Sequence, residues 1–222
     1  MKEHATQSTE DSTARKRKYH LDNLHLNKFV NFADKYEMPM MMSCDIIPEK
    51  LVPFNVAMSS RNPSGCVHFF IDDYQFERLW LYPERYIHRL SMFDCCISPD
   101  FSQYLDMTFP QRMWNNYRGK LIGAYLQYSG ISVIPNVTWS TPDSYDYCFE
   151  GIPANSTIAI NSTGVARHGL SRFLWLKGYK EALSRLTPRR IIRYGNFIEG
   201  ENEELSVYFY NERIETLRKN GR

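Results

Sequence analysis

The chain lacks any apolar run near the roughly 18–20 residues that a membrane-spanning helix requires, which argues against a membrane protein. Residues 1–20 lack the apolar stretch of a secretory signal. The five cysteines are odd in number and form no C-x-x-C pair. That spacing gives neither a disulfide scaffold nor a structural zinc site, and it fits a reducing cytoplasm. A surplus of one charge is also missing, since 27 basic residues face 25 acidic ones for a net charge of +2. A generic polyanion binder is thereby excluded, and any contact with nucleic acid would need a local patch. Several catalytic signatures are absent as well: the dinucleotide-binding G-x-G-x-x-G, the phosphate loop, the G-x-S-x-G elbow and the H-E-x-x-H and deaminase zinc motifs.

What is present is length and aromatic content. The 222 residues are enough for a single domain with a sizeable core. The 15 Tyr, 13 Phe and 4 Trp suit a core, a stacking platform or an interface equally well, so their positions must decide.

Residues 1–18 are polar, end in Arg15–Lys18, and read as a disordered basic arm ahead of an α/β domain over 19–222. Leu21, Leu24, Leu26, Phe29, Phe32 and Tyr36 predict a short amphipathic helix over about 22–36. Pro39, Pro48 and Pro53 make the next stretch an extended, buried approach segment. From residue 65 apolar runs alternate with helical patterns. Strands are expected over 66–71, 94–98, 131–139, 157–160, 190–194 and 205–210, with one more from 40–57. Helices are expected from Pro83 to Leu90 and over 110–129, 142–149 and 169–186, followed by a basic terminal helix. This rhythm predicts an α/β fold with parallel strands, either a TIM-barrel-like or incomplete (β/α) barrel or an open Rossmann-like doubly wound sheet.

In both architectures ligands bind where the strands end. The first exit delivers Asp72, Asp73, Tyr74 and Arg78, the second Ser98, Asp100 and Ser102, and the third Asn136, Thr138 and Trp139. The fourth delivers Asn161 and Thr163, and the fifth Tyr194 and Asn196. Asp72, Asp73 and Asp100 have the chemistry of a general acid/base set or of oxygen ligands for a divalent cation. Trp139 could form a stacking wall, with Tyr74, Arg78, Asn136, Asn161 and Tyr194 orienting a substrate. The structural alternative stays open: Asp72 or Asp73 caps the next segment and pairs with Arg78, while Asp100 makes an Asx turn. His68, inside a strand, reads as an interior histidine.

Three enzyme or binding roles fit this pattern: a hydrolase or transferase acting on a nucleotide, nucleic acid or sugar-like molecule; a counter-defence protein that occupies a host protein or sequesters a nucleotide; and an accessory protein of DNA processing. Phe69, Phe70, Trp114, Tyr117, Tyr125, Tyr128, Phe173 and Tyr179 fall on faces expected to be buried. That leaves Tyr74, Phe101, Trp139 and Tyr194 at the exits.

Residues 68–78 (His68 to Arg78), the run from Ser98 to Ser102, the run from Gly130 to Pro135, Trp139-Ser140 and Gly151-Ile152-Pro153 together resemble a family. It comprises proteins of bacteria, their phages and mobile elements, known as a domain of unknown function. The likeness covers about residues 46–196. At one block the family carries Trp where this chain has Leu126, so an aromatic is not required there. The resemblance implies a phage or mobile-element origin and a life inside a bacterial host cell, and it implies no reaction.

Overall fold

The computed structural model describes residues 21–165 and 169–209. Seven short strands carry the fold: β1 (Leu51–Pro53), β2 (Cys66–His68), β3 (Cys95–Ile97), β4 (Val133–Ile134), β5 (Thr157–Asn161), β6 (Arg190–Tyr194) and β7 (Ser206–Phe209). Helices α1 (Phe54–Ala57), α2 (Glu77–Leu81), α3 (Glu84–Leu90), α4 (Phe109–Tyr128), α5 (Tyr145–Phe149) and α6 (Gly169–Leu186) fall between them. Each strand pairs in parallel with its sequence neighbour, β1 to β4 in one sheet and β5 to β7 in a second. An Asn136–Ala159 bridge links the two sheets. Pro135 has no N–H to give, but its carbonyl accepts from Ala159 at 2.8 Å, so the ladder continues past it.

The sheets are curled. In a flat sheet β2 and β6 would stand about 19 Å apart at the usual strand spacing. Instead the Tyr194 ring lies 4.8 Å from His68 and 5.0 Å from Phe70. Side chains alternate with a period of two: Cys66 and Phe70 pack inside with Cys95, Ile97, Ile134 and Ile192, while Val67 and Phe69 pack outward against the helices. His68 lies inside as the sequence suggests; its Nδ1 accepts from the Phe70 amide, and burial pushes its pKa down to about 3. Among the described residues no pairing joins β7 to β1, so the barrel is incomplete. The strands follow sequence order without the reversal that marks a doubly wound sheet.

The approach segment crosses under the strands and closes the floor. Gln127 on α4 grips the Met42 amide at 2.7 Å and the Met42 carbonyl at 2.9 Å, and the Cys44 carbonyl accepts from Thr157. Helix α4 opens on a capping box formed by Thr108 and Gln111. It lies tight on the β3 exit at Gly119, where any Cβ would stand 2.6 Å from the Pro99 carbonyl oxygen.

Three expectations change. The helix over 22–36 is a short 3₁₀ turn, Leu24–Phe29, because Asp22 and Asn23 take positive φ and Val30 is extended. Beyond it Glu150 binds the Lys35 and Tyr36 amides, and Phe32 bridges Pro39. The strand over 131–139 is regular only at Val133–Ile134. Trp114, Tyr128 and Phe173 face outward and are exposed, whereas Phe69, Phe70, Tyr125 and Tyr179 are buried. The basic arm over 1–18 and the terminal helix lie outside the described residues.

Candidate functional site

The loops leaving β2 to β5 and one face of α6 enclose a cavity of about 450 Å³ at the mouth of the barrel. Its lining includes Asp72, Asp100, Gln103, Thr138, Trp139 and Trp175. Asn161 and Thr163, from the end of β5, also reach it.

Asp100 is placed by the Ser98–Pro99 turn that ends β3. One carboxyl oxygen accepts from the Asn136 side-chain amide at 2.8 Å, and the other accepts from Asn161 at 3.3 Å. Burial pushes its pKa up to about 6, and the charge of Asp73 adds to the rise; hydrogen bonds from Asn136, Asn161 and Thr138 pull the other way. The carboxyl is deep among protein atoms yet meets the cavity on one side. It therefore holds a proton well above the usual carboxylate range and faces the space a ligand would occupy.

The two aspartates after β2 have different settings. Asp73 accepts from the Ser102 amide at 3.1 Å and from its hydroxyl at 2.9 Å, tying the first strand exit to the second. Asp72 is exposed, lines the cavity, and accepts from Gln75 at 3.3 Å. Among the described residues, no group of three or more His, Cys, Asp or Glu side chains is arranged to hold a metal ion.

Two tryptophans wall the cavity. Trp139 lies on α6 at Gly178, where a Cβ would come within 2.2 Å of the indole nitrogen. The rings of Trp139 and Trp175 stand 5.7 Å apart and tilted by 44°. The Trp175 indole donates to the Asn161 carbonyl at 3.1 Å, and its ring stacks on Tyr179 at 5.2 Å. The Arg193 guanidinium sits 4.8 Å from the Trp175 ring centroid. Arg193 and Glu201 form an ion pair at 2.7 Å with both side chains fully buried.

The remaining residues proposed from sequence are spread out. Asn136 stands behind Asp100 as its hydrogen-bond donor and does not line the cavity. Tyr194 lies in the barrel interior against Phe70, which does line it. Tyr74 points outward and is 77% exposed. Arg78 pairs with neither Asp72 nor Asp73 in any ion pair; its guanidinium covers the Phe54 and Tyr86 rings at 5.2 and 5.8 Å. Phe101 is buried under the Arg118 guanidinium. Sequence reasoning missed Gln103 and Trp175. Gln103 binds Tyr147 and Cys148 beside the cavity, and Trp175 reads in sequence as one more apolar position of a helix.

Fold and cavity define the class: an incomplete parallel (β/α) barrel with a carboxyl-bearing pocket at its strand exits. Within that class the chain belongs to the DUF4417 family, described as a domain of unknown function, whose model matches residues 30–211. It is similar to the Gene 1 protein of Mycobacterium phage L5, 34% identical over 206 residues that make up 91% of this chain and 89% of that protein. It is also similar to the Gene 1 protein of Mycobacterium phage D29, 37% identical over 177 residues, 78% of this chain and 66% of that one. The chain thus stands among phage proteins. No solved structure matches it at a significant level. Among the described residues no helix is long and apolar enough to cross a membrane.

Proposed function

We propose that the protein is a phage enzyme, a hydrolase or transferase, acting in the cytoplasm of the bacterial host on a polar substrate of the nucleotide, nucleic-acid or sugar-like kind. The observation that carries this reading is Asp100, a carboxyl raised to about 6 that faces a cavity whose lining also holds the exposed Asp72. A pair of acids in such unequal settings divides acid and base roles between them. Asp100 is the proton donor, and Asp72 is the carboxylate that faces developing positive charge or receives a proton. Asp73 acts through Ser102 to fix the two exits relative to each other. Five buried free thiols support a reducing site of action.

The test is incubation with host metabolite extract and mass spectrometry of what is consumed. Conversion of a species in molar excess over the protein, lost in Asp100→Asn and falling as pH rises through about 6, supports the enzyme. Binding without conversion favours the second reading, a counter-defence protein that sequesters a nucleotide signal or engages a host protein. Tyr104, exposed at the cavity, suits such a contact, as does Tyr74, exposed on the segment that follows Asp72.

A further inference from the structure

We infer that a small chamber behind Asp100 holds one ordered water, and that Asn116, through this water, fixes the Asn136 side chain that faces the acid. The inference goes beyond the enzyme reading and does not depend on it. The chamber lies between helix α4 and the exits of β3 and β4. Asn116, Gly119 and Lys120 line it from the helix, and Ser98, Asn136 and Thr138 line it from the exits. Its volume is about 10 Å³, the room that one water takes.

Three polar groups of this lining call for a partner. Asn116 and Asn136 are each more than nine-tenths buried, and among the described residues no donor reaches the Oδ1 of either. Each carboxamide is engaged at its other end. Asn116 Nδ2 donates to Cys148 Sγ at 3.6 Å, and Asn136 Nδ2 donates to Asp100 at 2.8 Å. Lys120 is buried as well. Of its three N–H groups, two go to the Tyr147 and Glu150 carbonyls at 2.7 and 2.6 Å. A water that accepts from the third and donates to both Oδ1 atoms makes three hydrogen bonds, the usual number for a buried water. A buried oxygen left without a donor would carry the full cost of its desolvation.

The same water decides which way Asn136 faces. The Asn136 backbone amide donates to Ser98 Oγ at 2.8 Å, which fixes the main chain but does not by itself set the carboxamide. Turned over, the carboxamide would offer its oxygen to the neutral acid and take up the Asp100 proton in a hydrogen bond. Held by the water at Oδ1, it presents N–H to Asp100 instead, and the proton stays available on the side of the large cavity. Asn116 does not line that cavity, so it is a positioning residue that acts through Asn136.

The experiment has two parts, both on the full chain. The first is a crystal structure at a resolution that shows buried waters. A peak within about 3.2 Å of both Oδ1 atoms is expected. A chamber without density, or two carboxamides bonded directly to each other, overturns the inference. The second is titration of the Asp100 carboxyl by carbon-13 NMR of labelled aspartate, assigned with Asp100→Asn, in the unaltered chain and in Asn116→Leu. Leu keeps the branched shape of Asn and removes the acceptor. Loss of the water weakens the Asn136 bond to the carboxylate and lets the carboxamide turn to accept from the acid. Both effects raise the Asp100 midpoint, and a rise of roughly half a pH unit, about threefold in proton affinity, is expected. A folded variant whose midpoint is unmoved or lower overturns the positioning role. If Asn116→Leu does not fold, the density in the unaltered chain decides alone. Neither readout needs turnover: a chain that converts nothing leaves the inference standing, and failure of both readouts leaves the acid role of Asp100 in place.

Discussion

At the floor of the barrel Cys44, Cys66 and Cys95 cluster in the apolar interior, and burial raises the Cys44 and Cys66 thiols above their ordinary range. Gln127 straps the approach segment across this end through three hydrogen bonds to backbone groups. At the mouth the same strands end in Asp72, Asp100 and Asn161, and a carboxyl is held where it resists ionising. The floor therefore satisfies its polar groups with protein, whereas the mouth keeps a titratable one facing open space. In parallel barrels this division separates the end that holds the fold from the end that meets a ligand.

The largest effect expected of any change at the mouth is on turnover. Asp100→Asn should lower the rate roughly 10²–10⁴-fold, the usual contribution of a general acid. The amide has no charge to bury, but it can accept from only one of Asn136 and Asn161, so stability should change by no more than about 1–3 kcal/mol. A large loss of stability, read by denaturant titration, would instead make Asp100 a fold residue and erase the contrast. At the floor the pattern should invert. Gln127→Met leaves the Met42 amide, the part-buried Met42 carbonyl and the buried Val133 carbonyl without their partner and should cost about 2–4 kcal/mol. Rate per folded molecule should hold; a matching drop in rate would couple the two ends.

Gly178→Ala sharpens the comparison within the mouth. The new methyl group must displace Trp139, costing about 1–3 kcal/mol by overpacking. A shift in tryptophan emission together with weaker ligand binding is expected; unchanged emission would show that the wall does not depend on this contact.

The smallest effect is on stability against pH. The Asp100 carboxyl titrates ordinarily near 3.8 and near 6 in the fold. Between those values the folded chain keeps a proton that the unfolded chain has lost. Its contribution is fully present below 3.8 and disappears as pH rises through 6. With part of the carboxyl facing solvent, the change should be under about 2 kcal/mol. Asp100→Asn should flatten this part of the stability curve; an unchanged slope would assign it to other groups.

Much of the frame is legible in the sequence. Helix α6 and strand β6 fall where the pattern places them, because long amphipathic periodicity and a short branched run are local signals. Helix α4 begins and ends one residue earlier than expected. The short strand β4 is less legible, since the loss of the Pro135 donor shortens the regular pairing without changing the direction of the chain. At the mouth, carboxylates at strand ends are visible because apolar strands stop there. Side-chain direction is not. Tyr194 shares the inward parity of Ile192 and enters the core, and Tyr74 turns to solvent. Trp175 becomes a wall only because α6 is laid across the mouth, a tertiary placement that periodicity does not encode.

The bridge between Asn136 and Ala159 has a consequence for how the molecule breathes. Two paired blocks of backbone meet at this narrow crease, and Asp100 spans it, taking one amide donor from each side. Amide hydrogen exchange should therefore resolve two protected units, β1–β4 and β5–β7, that open separately. A carboxyl that fastens both units makes proton occupancy and the width of the crease two expressions of one equilibrium.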